Sequence, residues 1–473
     1  MSSKFTIYDK ETMFLLPPSI DDWLPKGHIA RFVVDTLSKI DMSEFEKQYS
    51  PLGRKAYPVE MLWGLLFYGY ITGVYSSRKI ENATYDSVAF RFIAANAHPE
   101  HDTIATFRKK FSQQLDGVFL QILLIATESG ILKMGNVSTD GSKIKANASK
   151  HKALSYEYAN KLEAQLKEEV AQLKKMAEES EVDIPSGMSI PEELTRRNDR
   201  LEVIEAAKKE IETRAKNRFE KEDAEYKKKL AQRKEHEEKT GNKKGGKPPE
   251  PPSSVPEKTD QVNLTDDESR IMPKSGGGFE QAYNAQASVD VGTMLIVGRH
   301  VSQNTNDKLE IANALKELKK TEAFIQKNSH KASMTESAQE KFKNLLADTG
   351  YHSASNVQLC KDADIVPLIA DKRDHHNVSV TERFETISEI PQTVDAVTKM
   401  KLQLKTKEGK ELYAKRKTTI EPTFGVIKNV MGFRSFSLKG FKAVQGEWTL
   451  VSIAWNLKRL FSLLKQSEMQ AAV

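Results

Sequence analysis

Leu345-Leu346-Ala347-Asp348-Thr349-Gly350 reads as a buried strand that ends in an aspartate and a glycine. Short, continuously apolar runs of this kind suit strands covered on both faces. Asn356 to Lys361 behind it suits a short helix, and Ile365 to Ile369 a second buried strand. Two such strands joined through a helix are expected to run parallel. Ahead of the stretch, Ala282 to Asp290 alternates, Val291-Gly292-Thr293 turns, and Met294 to Val301 alternates again, which is the pattern of a hairpin. A helix from about Asp307 to Gln326 follows the hairpin. Still earlier, Val137-Ser138-Thr139-Asp140-Gly141-Ser142 reads as a further strand ending in an acidic residue. Helices close the chain from about Lys410 to Asn429 and from Phe441 to Leu464.

Between the Asp140 strand and the hairpin the composition changes to Lys, Glu, Ala and Leu. Leu162, Leu166, Val170, Leu173 and Met176 form one apolar stripe, and Leu194, Leu201, Ile204 and Ile211 a second. Pro185, Gly187 and Pro191 separate them, so the expectation is an antiparallel helical hairpin, an arm whose narrow seam cannot fill a globular core. Lys239 to Lys258, rich in Gly, Lys and Pro, reads as a return linker. Residues 1–133 look helical, with apolar positions at helical spacing from Ile29 to Ile40 and from Val59 to Tyr75. Ser76-Ser77, Asp86-Ser87 and Asp102-Thr103 offer cap residues to three short helices, and Arg78, Lys79, Arg108 and Lys109 place positive charge on two of them. Such helices fit a helix-turn-helix that reads DNA, and equally a small bundle with a charged surface.

With the arm set aside, the order is a three-strand meander and then parallel strands with helical crossovers. That is the order of a ribonuclease H-like mixed sheet, and the expected class is α/β. The expected division is 1–133 as a helical N-terminal domain that binds DNA, 134–153 with 260–466 as the catalytic domain, and 154–259 as the arm and linker inserted into it.

Among 473 residues the net charge is +6, concentrated at Lys143 to Lys152, Lys405 to Lys417 and Lys428 to Lys442. Basic patches on folded segments attract phosphate backbones. The longest apolar run, Met61 to Ile71, is broken by Gly64 and Gly69 and falls short of the roughly 20 residues of a membrane span. The N-terminal stretch lacks the pattern of a signal peptide. Cys360 is the only cysteine, which excludes an intrachain disulfide and a multi-thiolate zinc site. The expectation is a soluble, cytoplasmic protein with no membrane partner.

Asp140 and Asp348 lie at strand ends on the expected central strands, where open α/β sheets bind ligands. Cutting phosphodiesters with two metals needs carboxylates that hold divalent ions about 3.5–4 Å apart. All-oxygen ligands favour Mg2+ or Mn2+. The third acid should come from a late helix, and Glu421 is the best candidate, with Arg416 five residues before it and Lys428 seven after. A step of seven returns to nearly the same helix face. Pro422 either opens a fresh helix with Glu421 as its cap or kinks a continuous one. His352 lies near Asp348 and suits a surface loop, as does the pair His375-His376, which lacks a third ligand at suitable spacing.

These motifs resemble those of the DDE transposases of bacterial insertion sequences. The resemblance runs through Asp22-Trp23-Leu24-Pro25, Tyr57-Pro58-Val59-Glu60, Ser76 to Glu81 and Asp102 to Arg108 in the helical part. It continues through Thr139-Asp140-Gly141-Ser142-Lys143-Ile144, Tyr283-Asn284-Ala285-Gln286 and Ala347-Asp348-Thr349-Gly350-Tyr351. Tyr413, Arg416, Glu421 and Lys428 resemble the family's Tyr-Arg-Glu-Lys signature, and Gly432-Phe433-Arg434 through Trp448 to Leu460 its tail. The family implies Asp140, Asp348 and Glu421 as catalytic and metal-binding acids with two Mg2+ or Mn2+ ions. It implies Tyr413, Arg416 and Lys428 beside DNA, cleavage at terminal inverted repeats, strand transfer into target DNA, and a homodimer in the synaptic complex. A nuclease of the same fold without strand transfer, and a non-catalytic DNA-binding protein, are the alternatives.

Overall fold

The computed structural model describes residues 19–50, 55–178, 188–241, 245–274, 276–329, 341–371, 386–387, 390–391 and 393–471. Two compact units divide the chain, one made of Met1–Ile144 with Asn284–Val473 and the other of Lys145–Tyr283. After a short helical turn at Ile20–Trp23, the first holds helices α1 (Ile29–Leu37), α2 (Val59–Thr72), α3 (Ser77–Asp86), α4 (Val88–Ile93), α5 (His101–Phe111) and α6 (Asp116–Glu128), with a second short turn at Ser43–Glu46 between α1 and α2. α1 buries Ala30, Val33 and Leu37 on one face, and His28 Nδ1 caps it by accepting from the amide of Ala30 at 3.1 Å. α2 is apolar all round and buried from Leu62 to Ile71, as a core helix must be. Ser76 and Ser87 do stand at N-cap positions, but neither side chain makes a capping bond. Asp102 and Thr103 fall inside α5 rather than ahead of it, with Asp102 in the first turn, where the helix dipole favours a negative charge. Strand β1 (Asn136–Lys145) follows. It runs on past Asp140, because Ile144 on the far side is buried like Val137 on the near side.

The second unit holds the short strand β2 (Ala153–Ser155), helices α7 (Tyr156–Glu178) and α8 (Ile190–Thr240), and strands β3 (Gln261–Asn263) and β4 (Arg270–Pro273). Leu154, Ala159, Leu166, Ile204, Ala207, Ile211 and Val262 make its core. Glu163 pairs with Lys208 at 2.5 Å and Glu169 with Arg197 at 2.7 Å, so α7 and the first half of α8 run antiparallel. β2 and β3 pair antiparallel, Ser155 opposite Gln261. Pro185 and Gly187 lie outside the described residues. Pro191 stands in the first turn of α8, where a missing amide costs nothing.

Strand β5 (Phe279–Asp290) pairs antiparallel with β4 through its first residues and with β6 (Ile296–Ser302) through its later ones. Then come α9 (Ile311–Asn328), β7 (Asn344–Ala347), α10 (Ala354–Asp362), β8 (Val366–Ile369), α11 (Ala396–Lys405), α12 (Lys407–Gly425), a π-helical turn at Val426–Val430, and α13 (Phe441–Ala471). In the larger unit the strands lie in the order β6-β5-β1-β7-β8. β5 and β6 are antiparallel, whereas β1, β7 and β8 are parallel. The chain is therefore mixed α/β, with a helical N-terminal region.

α13 ties the helices to the sheet. Its Asn456 side chain accepts from the amide of Ile296 and donates to the carbonyl of the same residue, both at 2.8 Å. Trp448 donates from Nε1 to the carbonyl of Gln286 at 2.9 Å. Glu447, fully buried, accepts from the Tyr70 hydroxyl at 2.9 Å and from the amides of Ser437 and Leu438, so its buried oxygens are satisfied by several donors. No helix among the described residues is long and apolar enough to cross a membrane.

Candidate active site

The parallel register pairs Val137 with Leu345 and Ser138 with Leu346. Two residues further along each chain, on the same face, come Asp140 and Asp348, on neighbours about 5 Å apart. Asp348 leaves β7 in extended conformation, and its Oδ1 accepts from the amide of Gly350 at 2.8 Å, opening a tight turn that ends at Tyr351. Asp140 Oδ1 accepts from the amide of Gly141 at 2.8 Å. Burial, and then the negative charge of Asp348, push the Asp140 carboxyl up to about 7. Two carboxylates in one crevice resist joint ionisation, which is the condition a divalent cation relieves.

Glu421 arrives from α12. Pro422 lies inside that helix, which continues to Gly425, so the sequence's two options resolve to one continuous helix. The chain then widens into the π turn that carries Lys428. Arg416, with its side chain 9% exposed, spreads its guanidinium between two acids: Nη1 lies 3.5 Å from Asp140 Oδ2 and Nη2 3.0 Å from Glu421 Oε1. Sharing one planar fork keeps those oxygens within about 9 Å of each other. The Glu421 side chain is half exposed. Lys428 Nζ reaches the hydroxyl of Ser142; burial lowers its pKa, and the charge of Asp140 works against that.

A polar layer lies beside the acids. Asp307 Oδ1 accepts from Lys143 at 2.8 Å, Asn284 at 2.7 Å and Gln286 at 2.8 Å. The Tyr351 hydroxyl donates to Gln286 Oε1 at 2.6 Å. Burial, together with Asp140, Asp307 and Asp348, raises the Tyr351 phenol well above its ordinary range. Gly141 leaves room for this layer, since a Cβ there would stand 2.0 Å from Gln286 Nε2. Asp307 is the member that sequence reasoning missed. Its one signal is that it opens a helix, which an aspartate does in countless unrelated places.

Tyr413 lies one turn before Arg416 and lines an open cleft of ≈ 590 Å³ together with Asp371, Lys401, Lys405, Lys410 and Lys417. His352 stands 3.4 Å from Asp371. Arg78 and Lys79 on α3, and Lys109 on α5, are exposed. Arg108 is not: it is buried and donates to the backbone carbonyl of Tyr75 at 3.0 Å and to the Tyr70 hydroxyl at 3.3 Å. The reason is helical phase, since Arg108 follows Ile104 by four residues on the face that packs inward. His375 and His376 lie outside the described residues.

Among the described residues no three His, Cys, Asp or Glu side chains converge closely enough to enclose a metal ion. Asp140 and Asp348 suit one as a facing pair of hard oxygen donors. Glu421 is one guanidinium away from joining them.

Residues 18–110, covering α1 to most of α5, match the family described as Transposase domain (DUF772), and residues 372–461, which include Arg416, Glu421 and Lys428, match the Transposase DDE domain. The two matches support a transposase. More particularly, they support a DDE transposase of an insertion sequence. Asp140 and Asp348 lie outside both matched segments. No curated protein and no solved structure matches the chain.

Proposed function

We propose that the chain binds the terminal inverted repeats of an insertion sequence, cleaves DNA at those ends, and transfers the released strands into target DNA. The reading rests on one observation: Asp140, with Asp348 beside it, and Glu421 are gathered from three distant chain segments around a single guanidinium. The strand order and directions support a ribonuclease H-like sheet, with both aspartates at the mouth of its parallel strands. Asp140, Asp348 and Glu421 would hold two Mg2+ or Mn2+ ions, which when bound activate the attacking oxygen and neutralise the leaving one. Lys428 and Arg416 set positive charge where a scissile phosphate would lie, and the lysines around Tyr413 extend it along a DNA backbone. Arg78, Lys79 and Lys109 are exposed cations that the N-terminal helices offer to DNA, and Arg108 serves the interior. The packed α7–α8 pair we read as an arm that contributes to synapsis of two ends by a homodimer in the cytoplasm.

Incubating the protein with labelled element ends, a target plasmid and Mg2+ tests this directly. Asp140→Asn, Asp348→Asn and Glu421→Gln are each expected to lower joined product by at least about 10³-fold while end binding persists. Cut ends without joined product from the unaltered protein would favour a nuclease. Undiminished joined product in all three variants would remove these acids from the chemistry, and end binding with neither cut nor joined product from the unaltered protein would leave only a DNA-binding role.

A further inference from the structure

Arg416 holds the place that a cation should take. Among the described residues it is the one positive group in contact with both Asp140 and Glu421, and it lies on the same continuous helix as Glu421. Its pose is an incomplete one. The contact to Asp140 is long, 3.5 Å against the roughly 2.7–2.9 Å of a strong charge-assisted bond, and the buried Nε has no hydrogen-bond partner among the described residues. A buried donor left unpaired disfavours the state that buries it. A divalent ion needs its oxygen ligands at roughly 2.0–2.6 Å from one point. Two carboxylate oxygens cannot close on that point while a guanidinium stands between them.

Building on the proposed metal-dependent activity, we propose that Arg416 is an exchangeable counter-ion: it occupies the acid cluster in the metal-free protein and leaves it when a divalent ion enters. Arg416 and the metal then compete for the same carboxylates, and the arginine weakens metal binding in the free protein. A fixed positioning arginine, which orients Glu421 for the metal, makes the opposite prediction.

The test is Mn2+ binding by the full-length chain, followed through the electron paramagnetic resonance of free Mn2+, alongside thermal melts in EDTA and in Mn2+. Arg416→Gln is expected to bind Mn2+ about tenfold more tightly than the unaltered protein, equivalent to about 1.4 kcal/mol of competition removed. It should melt lower in EDTA and gain more from Mn2+. Arg416→Lys, whose single ammonium cannot span both acids, should fall between the two and answers the question if the glutamine variant does not fold. Equal or weaker Mn2+ binding in the variants overturns the inference and leaves the transposase reading intact. If the unaltered chain binds no Mn2+, or Asp348→Asn binds it equally well, the metal reading of the site falls and the inference with it.

Discussion

Asp140 shows how much one residue's surroundings decide. Its carboxyl titrates near 7 in the folded chain, against an ordinary 3.8, chiefly because it is buried and then because Asp348 faces it. A carboxyl whose folded pKa is raised contributes stability that is fully present below its unfolded pKa and lost as pH rises through the folded one. Without metal, the protein should therefore lose stability between about pH 4 and pH 7, by at most about 4 kcal/mol from this group. Melting curves in EDTA across that range should fall for the unaltered chain and lie flatter for Asp140→Asn; parallel curves would contradict the assignment. The strand positions of Asp140 and Asp348 were legible in the sequence because a strand pattern that reaches an aspartate, with a glycine one or two positions later, is a local signal. Arg416 was legible as a residue but not in its contacts. Five positions along a helix turn it well away from Glu421, and only its length brings the guanidinium back to that side chain.

At the level of elements, the terminal helix does for β6 what a further strand would otherwise do. Asn456 offers its amide to both backbone groups of Ile296, so a stretch of strand edge is satisfied by one side chain. Asn456→Ala should cost about 2–4 kcal/mol in denaturant unfolding, since it strands a buried donor and a buried acceptor together. A loss within about 0.5 kcal/mol would mean that water replaces the side chain without penalty. The hairpin of β5 and β6, the parallel strands, and the helices α12 and α13 were legible from periodicity and turn residues, whereas α11 was not expected. The π turn carrying Lys428 was not, because apolar spacing does not register one extra residue in a turn. Nor was the course of β1 beyond Asp140, where half-buried polar residues interrupt the alternation.

Across the molecule, the unit from Lys145 to Tyr283 has its own core and its own closing strand pair. Because Ser155 stands opposite Gln261, residues 156–258 can be replaced by a short Gly-Ser linker with little displacement of the remaining ends. We expect the shortened chain to keep a cooperative melt and to lose paired-end assembly in gel-shift experiments. Normal assembly would remove the arm from synapsis. The same insertion sets a timetable for the ribosome. Asn136 on β1 meets its neighbour Asn344 on β7 across 208 positions of chain. At about 5–20 residues per second of synthesis, the strand bearing the first acid waits roughly 10–40 s for its parallel partner. Through that interval the nascent polypeptide exposes an apolar edge, which makes a chaperone's shelter during translation a natural requirement for yield.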